Sequence, residues 1–207
     1  MRSKEKSTTV YYVRHGVTDF PIDRIYCDSE EDPALSRRGR LQAKAAATFF
    51  QNVELDAIYA SPAARTLATA GEIADVTGNQ IEKREGLRER PFGIWDGLYF
   101  HEIEERYPEE YLNWKKDKVG YTPEGGETIN ALLDRLNKTV SEIIKSHEGQ
   151  TLAIVSHVGP IRMCVTQAFQ IPVAQYRQIN IDYASITRID YGKTLNNLIF
   201  LNQIRYI

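Results

Sequence analysis

Short apolar runs alternate with longer helical patterns along most of this chain, and this alternation constrains its fold more than any other feature. Three runs, Thr8–Val13, Asp56–Ala60 and Thr151–Val155, have the length and composition of buried strands. Two further runs, at residues 185–189 and 198–204, are predicted to be late strands. Since strand and helix alternate, we predict a three-layer α/β/α sandwich with a mainly parallel central sheet.

Several residues mark where the predicted helices begin or end. Ser36 is expected to open the first helix. Ser61 and Pro62 are expected to be the N-cap and the first residue of the second helix, and Gly78 is expected to end it. Pro160 is expected to open the helix that follows the third strand.

Two helical segments also show apolar periodicity. In the first helix, Leu41, Ala45 and Phe49 recur at every fourth position, which predicts one buried face. The segment 128–146 carries the clearest apolar stripe at helical spacing. We therefore expect both helices to pack on the sheet.

Length and composition favour one compact domain. A chain of 207 residues that is 42% hydrophobic is long enough for one sizeable core and short for two. We therefore treat residues 1–207 as a single domain, with a small inserted cap at about 96–125. The oligomeric state stays open between a monomer and a homodimer.

The same composition bears on partners and location. A net charge of -2 supplies no basic field for nucleic acid. No run approaches the roughly 20 apolar residues of a membrane span. The polar start and the two cysteines, which form no Cys-x-x-Cys pair, make a soluble protein of the reducing cytoplasm the default expectation.

Reactive side chains follow the same three strands. The first strand runs into Arg14 and His15, the second is followed closely by Arg65, and the third ends at His157. In open α/β sheets, ligands bind just beyond the carboxyl ends of the strands. We therefore expect these two histidines and two arginines to meet in one site.

Two histidines and two arginines suit phosphoryl transfer. Arginine matches phosphate oxygens with two donors, and a neutral imidazole is a competent nucleophile near pH 7. A second histidine, if cationic, stabilises charge in the transition state. The backbone amides near Val158 and Gly159 lie at a predicted helix N-terminus and add donors for an anion. This set favours a phosphohistidine intermediate.

The leaving oxygen needs a proton, which a carboxylic acid of raised pKa supplies. Glu89 is the best candidate because it lies in an irregular stretch beside aromatic residues. Glu85, Glu124 and Glu127 are the alternatives. The histidines show no spacing typical of a metal site, so no metal is predicted.

Five motifs, in order, resemble those of the histidine phosphatase superfamily, in its phosphoglycerate-mutase-like branch. The style of the match is closest to short bacterial members such as α-ribazole phosphatases. The match extends from about Val10 to Asn202. The matching segments are Arg14-His15-Gly16-Val17-Thr18, Leu35-Ser36-Arg37-Arg38-Gly39, Ser61-Pro62-Ala63-Ala64-Arg65-Thr66, Leu87-Arg88-Glu89 with Phe92-Gly93-Ile94-Trp95-Asp96-Gly97, and Ser156-His157.

This resemblance implies a role for each reactive residue. His15 is the nucleophile that becomes phosphorylated. Arg14, Arg65 and His157 hold the phosphoryl group, and Glu89 is the proton donor and then the base that activates water. The resemblance also implies that neither a metal nor an organic cofactor is needed.

Some positions depart from the family pattern. Pro21 stands where many members have asparagine, and Val17 replaces the usual glutamate of the first motif. We expect Thr18, Cys27 and Val158 to contribute to substrate binding, in addition to the residues that hold the phosphoryl group. These departures affect the identity of the substrate and leave the reaction class intact.

Three functions are therefore compared. The favoured one is a metal-independent phosphatase that hydrolyses a small phosphomonoester through His15. A cofactor-dependent phosphoglycerate mutase is the first alternative, although the segment before the second histidine is short and has no cluster of arginines. The second alternative is a non-catalytic protein that binds a phosphorylated ligand, although the nucleophile and the acid are both retained.

Overall fold

The computed structural model describes residues 7–21, 23–25 and 31–205. Six strands form one sheet, in the spatial order third, second, fourth, first, fifth, sixth. The first four strands along the chain pair in parallel, and the last two join antiparallel at one side. The strands are β1 (Thr8–Arg14), β2 (Ala57–Ala60), β3 (Ile81–Lys83), β4 (Thr151–Ser156), β5 (Ile186–Tyr191) and β6 (Asn196–Gln203).

Within the described ranges, six α-helices and three 3-10 helices connect these strands. Among the described residues, no helix has both the length and the apolar character needed to cross a membrane. The α-helices are α1 (Arg37–Phe50), α2 (Ala64–Thr77), α3 (Phe100–Arg106), α4 (Pro108–Lys116), α5 (Ile129–Ser146) and α6 (Val158–Ala168). The 3-10 helices are Glu85–Leu87, Gly93–Trp95 and Val173–Gln178.

Alternate residues of the strands face two separate cores. In β1, Tyr11 and Val13 pack with α1 and α2 on one face of the sheet. Val10 and Tyr12 pack with α5 and α6 on the other face. This is the two-residue period of a strand that is covered on both sides. The prediction of a three-layer sandwich with a mainly parallel sheet is confirmed.

The register between β1 and β4 brings two reactive segments together. Arg14 is paired with Ser156 in this parallel ladder. The N–H of His15 donates to the carbonyl of Ser156 at 3.1 Å, so the pairing continues one residue beyond β1. The residues that follow the two strands, His15 and His157, therefore leave the sheet side by side.

The first helix begins as predicted, but its buried face differs. The Ser36 hydroxyl accepts a hydrogen bond from the N–H of Gly39 at 2.9 Å, which confirms Ser36 as the N-cap. Leu41 was expected to be buried and is 45% exposed. Ala45 is buried as predicted and Phe49 is partly buried, and the buried face also carries Ala43, Ala46, Ala47 and Phe50. Small side chains let α1 lie close to its neighbours, and this contact outweighs the burial of one leucine.

The second helix begins later than predicted. It starts at Ala64, so Pro62 is not its first residue and Ser61 is not its N-cap. Both carboxylate oxygens of Asp32 instead accept from the N–H of Ala64, at 2.9 and 2.8 Å. The end was predicted correctly, because Gly78 adopts a left-handed conformation with φ 77°.

Helix α6 also begins earlier than the sequence pattern indicated. It starts at Val158, with His157 in the N-cap position, so Pro160 lies inside the first turn rather than opening the helix. Proline is tolerated there because the first N–H groups of a helix have no partner within the helix. The shift places His157 directly at the junction of β4 and α6.

Helices α3 and α4 pack on each other through aromatic rings. Trp114 of α4 stacks on Phe100 and Tyr111, with ring centroids 5.9 and 5.7 Å apart. The buried Trp95 meets the edge of Trp114 at 6.1 Å. These contacts anchor both short helices next to the 3-10 turn that contains Trp95.

Candidate active site

A cleft of about 230 Å³ opens where β1, β2 and β4 end. It is lined by both reactive histidines, six arginines and one carboxylate among the described residues. The lining includes the sequence-predicted residues Arg14, His15, Arg65, Glu89, His157 and Val158.

One described residue among the predicted substrate contacts, Thr18, does not join this group. Thr18 is buried and is not among the described residues that line the cleft. Its hydroxyl accepts from the N–H of Phe20 at 3.4 Å, and its backbone bridges to Leu35. Cys27 lies outside the described residues.

His15 is buried, and one of its ring nitrogens is fixed. Nδ1 lies 2.8 Å from the carbonyl oxygen of Gly16. A carbonyl can only accept, so Nδ1 carries the proton and Nε2 carries the lone pair. Burial, and then the positive charges of Arg65 and Arg14, hold the pKa of His15 well below its ordinary value. The ring is therefore neutral at pH 7, which is the state a nucleophile requires.

His157 has the opposite tautomer. A guanidinium nitrogen of Arg65 donates to Nδ1 at 3.1 Å, so Nε2 carries the proton and donates to the Ser61 hydroxyl at 2.8 Å. Burial lowers the pKa of His157 well below its usual range, and the neighbouring His15 and arginines lower it further. The two histidine rings meet edge to face, with centroids 5.2 Å apart.

The two arginines beside the histidines are held in place. Arg65 is 1% exposed and lies 3.5 Å from a carboxylate oxygen of Asp32. Arg14 donates to the carbonyl of Ile181 at 2.7 Å, and its guanidinium lies 3.6 Å from the centre of the Tyr183 ring. This cation–π contact and the carbonyl orient the charge without neutralising it. The centre of the cleft is therefore strongly positive.

Glu89 lies at the side of this positive centre. Its carboxylate accepts from the N–H of Arg90 at 2.9 Å and from the N–H of Gly159 at 3.1 Å. Burial raises the pKa of Glu89, although these two hydrogen bonds and the charges of Arg65 and Arg14 act in the opposite direction. A carboxyl group with a raised pKa is suited to general acid and base catalysis.

Other predicted acids are placed elsewhere. Glu85 is exposed and pairs with Arg88, while Glu127 forms a two-pronged pair with Arg135. Glu124 is exposed and is not among the described lining residues. Glu89 is therefore the carboxylate that the fold brings to the histidines.

The N–H of Gly159 was expected to bind an anion, and the anion it binds is the Glu89 carboxylate. A Cβ at position 159 would overlap with Oε1 of Glu89. A side chain larger than hydrogen would therefore displace the carboxylate. The glycine allows the acid to lie against the first turn of α6.

Sequence reasoning missed several residues of the site. Ser61 follows β2 directly, and this strand-end position was the available signal for its contact with His157. Arg162 and Arg177 also line the cleft. The signal for Arg162 was its position one helical turn after Val158 in α6. No motif distinguishes Arg177. Among the described residues, no cluster of three or more potential metal ligands is present.

Comparisons with known proteins agree with this geometry. Phosphoserine phosphatase 1 of Hydrogenobacter thermophilus is 31% identical over 191 residues, which cover 92% of this chain and 90% of that protein. Probable phosphoglycerate mutase GpmB of Escherichia coli is 29% identical over 190 residues, which cover 90% of this chain and 86% of that protein. The bifunctional protein Rv2228c of Mycobacterium tuberculosis is 31% identical over 202 residues, and this chain spans 55% of its length.

Solved structures share the fold. The mycobacterial glucosyl-3-phosphoglycerate phosphatase Rv2419c superposes with a TM-score of 0.82 at 26% identity, covering 94% of this chain and 98% of that one. The model of the histidine phosphatase superfamily (branch 1) matches residues 10–204. That range contains the cleft and all five sequence motifs. The chain therefore belongs to the histidine phosphatase superfamily, branch 1.

Proposed function

We propose that this protein hydrolyses small phosphomonoesters through a phosphohistidine formed on Nε2 of His15, without a metal ion. One observation carries the proposal. The buried, neutral ring of His15 is held by the Gly16 carbonyl in the tautomer that leaves Nε2 unprotonated, and two arginines stand beside it. A cleft of about 230 Å³ suits a small ester rather than a macromolecule.

In the first step, Arg14, Arg65 and His157 bind the phosphoryl oxygens. Nε2 of His15 attacks phosphorus and the bond between phosphorus and the ester oxygen breaks. The electron pair goes to the ester oxygen, which takes a proton from the Glu89 carboxylic acid. The alcohol leaves, and His15 carries the phosphoryl group.

In the second step, the Glu89 carboxylate removes a proton from water, and the oxygen of that water attacks phosphorus. The bond between nitrogen and phosphorus breaks, its electron pair returns to Nε2, and inorganic phosphate leaves. Nδ1 of His157 accepts from Arg65 in the free protein. A bound phosphoryl dianion offsets the arginine charges that help to hold the pKa of His157 down, so Nδ1 takes up a proton from solvent and donates a hydrogen bond to one of the phosphoryl oxygens.

We further propose that residues 96–125 act as a cap on the cleft. Phe100, at the start of α3, is one of the lining residues. The backbone of the same segment contacts the loop before α1, because the N–H of Gly97 donates to Ile25 and that of Phe100 donates to Asp23. A cap held in this way narrows the space next to His15.

Phosphoglycerate mutase is the second candidate, because one relative carries that name. A mutase has to retain a doubly phosphorylated intermediate and exclude water. Arg106 is the one arginine between residues 96 and 125, so the proposed cap offers little to hold a second phosphate. The phosphatase names of the other relatives also favour hydrolysis.

Substitution of the nucleophile tests the proposal. We expect His15→Ala to lower kcat for p-nitrophenyl phosphate by about 10⁴-fold or more, as loss of a nucleophile does in other enzymes. Brief exposure of the wild type to radiolabelled substrate should give an acid-labile, base-stable label. The control is Lys44→Ala, an exposed residue of α1 outside both the cleft lining and the proposed cap, which should keep full activity. Turnover by His15→Ala at the wild-type rate would refute the mechanism.

A further inference from the structure

The cleft contains more positive charge than one phosphoryl group needs. Six arginines line it, and Glu89 is the single carboxylate among the described lining residues. Arg14 and Arg65 flank the two histidines and serve the phosphoryl group. Binding of one phosphoryl group therefore does not explain the other four arginines.

Two of these four are already occupied. Arg24 forms a two-pronged ion pair with Glu31, at 3.2 and 3.0 Å. Arg90 is buried and donates to the backbone carbonyl of Glu127 at 2.6 Å and to the hydroxyl of Thr122 at 3.2 Å. Both arginines thus have structural partners.

The remaining two arginines, Arg162 and Arg177, have N–H groups that can donate to a ligand. Arg162 uses Nε to donate to the carbonyl of Ile179 at 2.7 Å, and its two terminal nitrogens make no hydrogen bond or ion pair within the described part of the chain. Arg177 is exposed at the cleft, and it likewise has no hydrogen bond or ion pair to any residue that the structure describes.

These two arginines are close enough to repel each other. Burial, then the positive charge of Arg177 and then that of Arg14, lower the pKa of Arg162. Glu89 opposes this repulsion less than Arg177 and Arg14 cause it, so the two like charges are still unfavourable unless an anion binds to both. The Nε bond to Ile179 also fixes the plane of the Arg162 guanidinium, which prepares it to bind an anion through two nitrogens.

We infer that Arg162 and Arg177 form a second anion subsite, which binds a carboxylate or second phosphate on the alcohol part of the substrate. This inference rests on the proposed function, because it takes the phosphoryl group to lie at Arg14 and Arg65. The substrate class is a small phosphomonoester with one further anionic group. A phosphomonoester whose alcohol part is uncharged leaves the charges of Arg162 and Arg177 unopposed.

A matched pair of substrates isolates this second anion. 3-Phosphoglycerate and glycerol 3-phosphate differ by a carboxylate in place of a CH₂OH group. We expect the wild type to prefer 3-phosphoglycerate by roughly tenfold or more in kcat/KM, the effect of one charge-assisted contact. Fructose 1,6-bisphosphate and fructose 6-phosphate make the same comparison for phosphate. A preference within either pair supports the subsite and identifies its anion, and no preference in both pairs overturns it.

Substitution of Arg177 assigns the preference to this side chain. Arg177→Gln should lower the ratio of the two kcat/KM values by roughly tenfold, and Arg177→Glu should lower it further. Arg38→Gln is the control, because it removes one exposed arginine that does not line the cleft and should keep the ratio. A ratio that stays unchanged in both Arg177 variants would overturn the assignment.

Equilibrium binding separates failure of this subsite from failure of the proposed function. Calorimetric titration of the protein with each compound requires no turnover. Tighter binding of 3-phosphoglycerate or of the bisphosphate that is lost in Arg177→Gln supports the subsite even if no ester is hydrolysed. Hydrolysis of p-nitrophenyl phosphate through His15, with equal binding within both pairs, would retain the phosphatase and reject the subsite.

Discussion

At the residue scale, Glu89 combines two opposing influences. Two backbone N–H groups donate to its carboxylate, yet burial still raises its pKa. An acid with a raised pKa in the folded protein stabilises the fold at low pH, and this contribution is lost as the pH rises through that pKa. When Glu89 is ionised, its buried charge is therefore a cost to the stability of the fold.

The first prediction concerns Glu89→Gln. The amide is nearly isosteric and carries no charge, but its NH2 group cannot accept from either of the two N–H groups that donate to the separate oxygens of Glu89. The lost buried charge and the lost hydrogen bond oppose each other, so we expect little change in the melting temperature at pH 7.5 together with lower activity. The loss of kcat should be larger for alkyl phosphates than for p-nitrophenyl phosphate, because a poor leaving group needs the proton more. Calorimetry and steady-state kinetics measure the two effects. Equal losses for both kinds of ester would assign the acid to another residue.

The second prediction concerns Gly159→Ala. The added Cβ would overlap with Oε1 of Glu89, so the carboxylate has to move away from the leaving oxygen. A misplacement of about 1 Å can cost 10²-fold in rate, and we expect a fall in kcat of that order. Gly71→Ala in α2 is the control, because a Cβ there meets nothing within 4 Å and alanine favours a helix. Unchanged kcat in Gly159→Ala would show that Glu89 tolerates displacement.

At the scale of elements, the start of α2 depends on a distant residue. Asp32 accepts from the N–H of Ala64 and contacts Arg65. A carboxylate at a helix N-terminus satisfies backbone donors and opposes the positive end of the helix dipole. Asp32 therefore links the start of α2 to the guanidinium of Arg65 in the cleft.

The third prediction follows from this cap. Asp32→Ala should lower the free energy of unfolding by about 1 kcal/mol, the typical cost of a lost N-cap. Asp32→Asn keeps a side-chain oxygen and should retain most of the stability. Urea denaturation of the two variants measures the difference. If Asp32→Ala unfolds at the wild-type urea concentration, then α2 does not rely on this cap.

Helices α1 and α2 show why prediction from sequence succeeds in some places and fails in others. Ser36 and Gly78 were identified correctly because their partners lie within the same helix. Ser61 was misassigned because its hydroxyl contacts His157, while Asp32 takes over the cap from elsewhere in the chain. A local pattern does not reveal which distant group competes for the same hydrogen bond.

The candidate active site likewise contains residues that the sequence predicts and residues that it does not. Strand ends and ordered motifs predicted that Arg14, His15, Arg65 and His157 would meet, and the sheet register brings them together. Arg177 lies in a 3-10 helix with no motif, so its approach to the cleft depends on how the chain after α6 folds back. Tertiary packing decides such positions, and a single sequence carries no signal for them.

At the scale of the whole molecule, the two buried histidines make stability depend on pH. The pKa of each is well below its ordinary value in the folded protein. A histidine that resists protonation in the fold but accepts a proton once unfolded favours unfolding as the pH falls below its unfolded pKa of about 6.5. Acidification therefore opposes folding through the same burial that keeps the His15 ring neutral.

The fourth prediction tests this link. Between pH 7.5 and 5.5, the melting temperature of the wild type should fall more than that of His15→Ala, because the variant lacks one of the two proton-resisting groups. Exposed His101 provides the control, and His101→Ala should follow the wild type. Scanning calorimetry across the pH series measures the difference. Parallel curves for wild type and His15→Ala would show that His15 does not contribute.

The parallel pairing of β1 with β4 has a consequence for any attempt to divide this protein. His15 follows the first strand of the chain and His157 follows the fourth, and these two strands lie next to each other at the centre of the sheet. A cut anywhere between β1 and β4 leaves His15 in the amino-terminal fragment and His157 in the carboxyl-terminal fragment. If the chain is cut between β3 and β4, activity can return only when the two pieces reassociate along the β1–β4, β2–β4 and β1–β5 ladders. Enzymatic turnover would then serve as a direct reporter of central sheet assembly.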